Sequence, residues 1–438
     1  MFDRSSTPRR ESSAHVAAVR RPSSPVSLPE SAARATQRRD LRTGRSLWQD
    51  SAGRSVRAQQ LRGDIAAEVA VVGAGISGAI MAYTLARRGV STIVLDRREP
   101  VHGSTMASTA LLQFEIDVSL SELSERIGTA RARRAWRRSV QGVRALGRLV
   151  ADARIACDYA PRHSLYLSGD VYGARALMHE ALARARAGIP GQFLDHAAVA
   201  RRFGIERTGA IVSPGSAVAN PAQLAAGLLR HAARDGAQIY SPADVQGVTA
   251  SRNGVQLFTA SGATVHVTDA IFCTGYELPH SLELAGHSVK STWAVAAEPR
   301  DVMPAWLATT VVWEASDPYL YLRSTGDGSL VAGGEDEASA TRHGNRTVLV
   351  RKAARIVGNV EALLPGIDLR RTHAWGGAFG ESSTGLPIID RLPGQPHCHV
   401  VAGFGGNGIT YSMIAAQVTS ARLRGRRDPD ADLYRAPR

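Results

Sequence analysis

The stretch Glu68 to Gly75, EVAVVGAG, runs on through ISGAIMAYTLARRG to VSTIVLD, which ends at Asp96. Four of its first five residues are apolar and β-formers dominate, which reads as a buried parallel strand entering a glycine turn. Ile76 to Gly89 then reads as a helix, closed where Gly89 offers a left-handed C-cap, and Val90 to Asp96 reads as a second strand. In that order the glycines have separate tasks. Gly73 allows the tight turn, Gly75 lets the backbone approach a pyrophosphate, and Gly78 lets the helix pack closely on the strand. The helix start adds free N–H groups and the positive end of its dipole. Asp96 stands where a carboxylate would accept hydrogen bonds from adenosine ribose hydroxyls. The ordered set predicts a dinucleotide site, which the glycine spacing alone would not; a turn that serves packing only is the competing reading. Arg97 and Arg98 suit a 2′-phosphate by charge, but Asp96 would repel one, so NADP is disfavoured.

A second glycine cluster, HVVAGFGGNG at 399–408, precedes ITYSMIAAQVTSAR at 409–422. It reads as strand, turn and helix, yet only 30 residues follow Gly408, and those after the helix are polar. No second βαβ unit fits there, so the cluster is expected to pack back on the first domain. Its helix start suits a second contact on a long cofactor such as FAD, on the anionic side of a reduced flavin. A nicotinamide dinucleotide would not require it. Between the clusters, Asn220 and Pro221 open a helix to Asp235. Short β segments follow at 238–240, 247–250, 255–259, 264–267 and 270–274, with a hairpin turn at Asn253-Gly254. Segments 293–298, 319–323 and 329–333 read as strands of a second sheet.

The chain has 438 residues, more than one core usually holds, so two interlocked domains are expected. Hydrophobic content of 44% and charged content of 21% are those of a globular protein. No run approaches the roughly 20 apolar residues of a membrane span, and the Arg-rich start has no signal-peptide core, so a cytoplasmic enzyme is expected. Cys157, Cys273 and Cys398 lack disulfide or metal spacing; no metal site is expected. The formal charge is +14, and half of the excess lies in residues 1–60, with twelve arginines against five acids. Residues 1–44 read as a disordered basic tail, too polar to offset ordering entropy and dispensable for activity. The basic run 126–148 reads as a helix with a solvated face; binding of nucleic acid or an acidic partner is the weaker reading of both. Residues 426–438 read as a polar tail.

Several segments together carry a resemblance: GAGISG at 73–78, VLDR at 94–97, GSTMASTALLQFEID at 103–117, CTGYE at 273–277, YLR at 321–323, GGEDE at 333–337, and GLPIID followed by GFGGNGITYS. Across residues 45–425 the chain resembles the D-amino-acid-oxidase-type FAD superfamily, in a branch similar to gamma-glutamylputrescine oxidoreductase-like amine oxidases, near glycine and sarcosine oxidases. The resemblance implies an α/β fold with a discontinuous Rossmann-type FAD-binding domain (61–155, 214–282, 373–425) interleaved with a β-sheet-rich α+β substrate domain (156–213, 283–372). It assigns the FAD pyrophosphate to Gly73, Gly75, Ile76, Ser77 and Gly78, and the ribose to Asp96, with Arg97 adjoining. Ser104, Thr105, Ser108 and Thr109 would wrap the cofactor's middle. Thr274 and Gly275 would run beside it, and Gly405, Gly406, Asn407, Gly408, Ile409 and Thr410 would face the flavin. Two departures stand out. Phe379 takes the place of a carboxylate-binding arginine, and Gly377 that of the flavin-linking cysteine of sarcosine oxidases, so FAD is expected to be non-covalent.

The implied chemistry is oxidation of the C–N bond of an amine or amino acid, by hydride transfer to flavin N5 and hydrolysis of the imine. The acceptor is dioxygen or another oxidant, left open. No catalytic residue is singled out. Gln113, Glu115, Tyr319, Tyr321, Arg323, Trp375 and Tyr411 are pocket candidates, because polar and aromatic groups interleave there; ordinary packing competes for each. Strand alternation puts Tyr319, Tyr321 and Arg323 on one face, with Arg323 positioned to bind a remote carboxylate. The competing functions are a sarcosine/glycine-type oxidase or dehydrogenase, an NAD-dependent dehydrogenase, a non-catalytic flavoprotein, and a nucleic-acid-associated basic protein.

Overall fold

The glycine turn is carried by the strand Ile65–Val72 in a computed structural model of the chain, which describes residues 28–30, 32–280 and 287–436. Its last four residues are buried, and parallel neighbours Thr92–Leu95 and Thr264–Phe272 flank it, with Gln238–Tyr240 beyond. Helix Ile76–Ala86 packs against helices Pro221–Arg234 and Gly408–Leu423 over Val69, Val71 and Val94, while Ala70, Val72, Ile93 and Leu95 pack on the other face with Val245, Val248 and Leu257, so both faces are covered and the strands are apolar without a break. Asn220 caps the second of these through the N–H groups of Ala222 and Gln223. Thr264–Phe272 is one strand where two were expected. Its first half pairs antiparallel with Gly254–Thr259, and its second half pairs parallel with Cys398–Ala402.

The second sheet runs in the order Arg42–Arg45, Leu369–Ser382, His287–Pro299, Leu330–Glu337, Leu320–Ser324, Thr310–Glu314, Ala160–Leu167, Gly209–Val218, Leu111–Leu112, with Gln192–Asp195 also on Gly209–Val218. Helix Arg346–Leu363 closes one face over Trp293, Val295, Leu320, Leu322, Leu330 and Ala332. Alternation therefore turns Thr292 and Tyr321 to the opposite face. Leu369–Ser382 stays in this sheet throughout and Gly209–Val218 lies wholly within it, so the expected boundaries at 373 and 214 both fall inside second-sheet strands.

Two tails need correction. Within the basic segment 1–44, Ala33–Arg34 pairs with Val245–Ser251 in the first sheet and Arg42–Arg45 with Leu369–Ser382 in the second. Ala35 and Leu41 are buried, and the Arg39 N–H donates to Glu277 at 3.0 Å. A backbone ladder of two to four residues needs no apolar period, which is why composition missed it. Residues 1–27 lie outside the described residues. The polar tail also docks: Leu433 and Tyr434 are buried, while Asp428, Asp430 and Asp432 pair with Arg138 and Arg134 of helix Thr129–Ala153. Part of the basic face read as solvated is thus covered by acids of the same chain. Among the described residues no helix is long and apolar enough to cross a membrane.

Removing residues 1–45 is expected to lower the melting temperature by about 5 °C or more, because a ladder on each sheet is lost and the edge of Leu369–Ser382 is bared. Removing residues 1–27 should leave it within about a degree. Thermal denaturation of the two truncations checks this, and equal melting temperatures would show that the ladders add nothing.

Candidate cofactor and substrate site

Glycine is required at the turn by space as well as by torsion. Gly73 has φ +108, and a Cβ there would stand 2.5 Å from the Cys273 carbonyl oxygen; one on Gly78 would stand 1.8 Å from the Gly73 carbonyl oxygen. Gly78 thus serves packing and does not line the cleft. Gly75 does, and no side chain caps the helix it opens. Only the Ile76 N–H is engaged by a side chain, donating to Thr105 Oγ1 at 2.9 Å. The Ser77 hydroxyl pairs with that of Ser412 at 2.7 Å, so its side chain joins two helices. Asp96 is aimed by two amides, its Oδ2 accepting from Ala74 at 2.6 Å and its Oδ1 from Arg98 at 2.8 Å. Burial raises its pKa against these bonds. Arg97 lines the wall, but its guanidinium is held by Asp244, Glu277 and Thr36.

The cleft continues past Ser104, Thr105, Ser108 and Thr109, with Thr274 and Gly275 alongside. Three successive carbonyls here are held from behind. Trp375 Nε1 donates to Ala107 O at 2.9 Å, Trp48 Nε1 to Ser108 O at 2.6 Å, and Arg323 Nε to Thr109 O at 2.7 Å. Arg323 also donates to Ala219 O and lies over the Trp48 ring. Two pocket candidates are corrected by this arrangement. Arg323 is 2% exposed and its donors are spent on backbone carbonyls, so it does not meet a substrate carboxylate; Trp375 supports the wall from the same side. Burial, helped by the like charge of Arg162 and opposed by Asp158 and Asp327, lowers the Arg323 pKa to about 9.

On the second-sheet side the lining includes Gln113, Asp117, Thr292, Tyr319, Tyr321 and Phe379, with Gly405 to Ile409 closing over them. The segment 113–117 is pinned to the last helix start. Thr410 Oγ1 donates to Gln113 O, Asn407 Nδ2 to Glu115 O, and the Gly406 N–H to Asp117 Oδ2 at 2.6 Å. Thr410 is therefore a tether behind the lining. One of the helix-start amides expected to face a flavin is occupied by Asp117. Glu115 and Tyr411 lie off the cleft. The chain bends at Glu115, sending its carboxylate 3.7 Å from the fully buried Arg184, while Tyr411 is 1% exposed with its hydroxyl unpartnered. Sequence reasoning did not single out Asp117, Thr292 or Asp336. The odd acid inside GGEDE was the available signal for the last.

The residues present fit a dinucleotide: a Gly75 without a Cβ, a carboxylate fixed by two amides, and a buried Ser104 hydroxyl with no partner among the described residues. The family model for FAD-dependent oxidoreductases, the DAO family, matches residues 68–422. The chain is 20% identical over 393 residues to a probable oxidoreductase, OrdL, of Haemophilus influenzae, covering 87% of this chain and 88% of that one. Among solved structures it is similar to glycine oxidase from Geobacillus kaustophilus (TM-score 0.73, 20% identity, 85% of this chain and 99% of that one) and to L-proline dehydrogenase from P. horikoshii (0.71, 16%, 86% and 98%).

Gly75→Val should leave the purified protein colourless, because its side chain stands where a pyrophosphate must approach; a full flavin spectrum would contradict the assignment. Arg323→Met is expected to cost about 2–5 kcal/mol in denaturant unfolding, since buried carbonyls lose their donor. It should reduce flavin content whichever substrate is assayed. A variant of wild-type stability with only a raised KM for carboxylate-bearing substrates would restore Arg323 as a clamp.

Proposed function

The chain belongs to the DAO family of FAD-dependent oxidoreductases, and we propose that it oxidises the C–N bond of a small amine in the cytoplasm, passing electrons to dioxygen or another acceptor. The observation that carries this reading is the makeup of the cleft on the second-sheet side. Phe379, Tyr319 and Tyr321 form its walls, and no arginine lines that side among the described residues. A bidentate guanidinium is the strong anchor for an α-carboxylate, and without one a simple α-amino acid loses its main hold. The amino-acid names of the structural neighbours support C–N oxidation as the reaction class.

Bound FAD supplies the hydride acceptor. The substrate gives up a hydride from the carbon beside nitrogen and a proton from nitrogen, and water hydrolyses the resulting imine. The chain's own contribution is placement. Gly73 and Gly75 admit the pyrophosphate, Asp96 orients the ribose, and the carbonyls held at 107–109 fix the wrapping segment. Gln113, whose Nε2 is buried without a partner, and the tyrosines orient the amine and keep water out. Gly377, where a flavin-linking cysteine would stand, favours non-covalent FAD, and burial pushes the thiol of the cleft-lining Cys273 up to about 12, away from the reactive thiolate.

Anaerobic mixing with a panel of primary amines, secondary amines and α-amino acids, followed at the flavin absorbance, tests the proposal. Amines should bleach the flavin at least about tenfold faster than glycine, sarcosine or D-alanine. Bleaching by the amino acids alone would replace it with an amino-acid oxidase reading, and no bleaching by any of them would end the C–N assignment.

A further inference from the structure

The strand Leu330–Glu337 ends in three acids, and the structure divides them. Glu335 and Glu337 turn to the buried Lys352, whose Nζ lies 3.2 and 2.9 Å from them, with Arg355 and Arg342 adding further pairs. Asp336, between them, turns the other way. The hydroxyls of Thr292 and Tyr319, both cleft-lining residues, face it, and its Oδ1 has no hydrogen-bond partner among the described residues. Burial raises its pKa to about 6. A second carboxylate, Asp117, lies in the cleft lining itself. Its negative charge adds to what ionising Asp336 costs.

What compensates this charge is thin. Lys290 acts on both acids but is itself paired with Glu381. The cleft-lining arginines, Arg97 and Arg98, are committed to Asp244 and Glu277 on the first-sheet side. Arg323 is spent on carbonyls. Tyr319 and Tyr321 stand with ring centroids 5.6 Å apart and a tilt of 31°, presenting aromatic surface beside the acids. The excess of negative charge at the cleft and the aromatic surface beside it together ask for a ligand rich in donors and positive charge. They repel a carboxylate.

We infer that the second-sheet side of the cleft is a subsite for a second ammonium group, so that the substrate class is a diamine or longer polyamine. One nitrogen, neutral, reacts. The other, protonated, is held by Asp117 against the tyrosines, and Asp336 is a positioning residue that strengthens the same field through Tyr319. This rests on the amine reading above and narrows it.

The test uses probes whose nitrogen-bearing carbons carry no hydrogen, so that they bind without being oxidised. They are tert-butylamine and the diamine made by joining two tert-butylamine units through one methyl carbon of each. Binding to the FAD-loaded protein is measured at mildly alkaline pH by calorimetry and by perturbation of the flavin spectrum. The diamine should bind at least about tenfold tighter than the monoamine, and the advantage should fall by about fivefold or more in Asp117→Asn. Asn retains an acceptor for the Gly406 N–H, so that variant is expected to fold. Asp336→Asn, which removes a charge without changing bulk, should lose a smaller part of the advantage. Equal affinity for the two probes, or an advantage unchanged in both variants, would overturn the diamine subsite. That result leaves the amine reading standing if monoamines bleach the flavin. A flavin bleached by no amine would instead remove the function beneath it, however well the diamine binds.

Discussion

Everything around the cleft depends on three consecutive peptide carbonyls, those of Ala107, Ser108 and Thr109. The segment that carries them has little secondary structure of its own, a short 3₁₀ turn at Ser104–Ala107 and a two-residue strand at Leu111–Leu112. Left alone, its backbone would sample many conformations and any groove it lined would be blurred. Two indole N–H groups and a guanidinium remove that freedom, and they come from three distant parts of the chain: Trp48, Arg323 and Trp375. Lysine at 323 would not substitute well. A guanidinium's fixed fork reaches Thr109 and Ala219 at once while stacking on Trp48, and an ammonium is a single, strongly hydrated point.

The opposite wall is tied in the same manner. Carbonyls at Gln113 and Glu115 accept from Thr410 and Asn407, and Asp117 accepts from the Gly406 amide. The irregular stretch 104–117 is thus fastened at its beginning to the second sheet and at its end to the last helix. Both layers of the fold thereby fix one groove. The arrangement also accounts for a carboxylate at a helix start, where the Gly406 amide and the partial positive charge of the helix end favour its ionised form.

The cofactor side was legible because its chemistry is local: glycines at fixed offsets, a strand on either side, and an acid where the second strand ends. Each of these is a statement about neighbours in sequence. The substrate side was legible only as a face. Alternation correctly grouped Tyr319, Tyr321 and Arg323, yet nothing in the order of residues says where along that face the cleft stops, and it stops before Arg323. Glu115 misled for a related reason, since the bend there interrupts the alternation that Gln113 and Asp117 would suggest. Asp336 was hidden because the side that each acid of GGEDE takes depends on Lys352, on a helix covering one face of the sheet, and on a local irregularity in which Glu335 has φ +60. The docked termini were invisible to composition, because short ladders and ion pairs leave no apolar period.

The pairing of Arg42–Arg45 with residues near Trp375 has a temporal consequence. More than three hundred residues separate the two sides of that ladder, and the last helix, Gly408–Leu423, closes the groove later still. During synthesis the glycine turn and its strand emerge early, with neither the far strand nor the closing helix yet made. Contacts this distant are slow to form, because the intervening loop must be closed before they repay its entropy. The nascent chain therefore carries a half-built cofactor groove and an open sheet edge until nearly all of it has left the ribosome. Its exposure to aggregation is set by the rate of translation as much as by the stability of the finished fold.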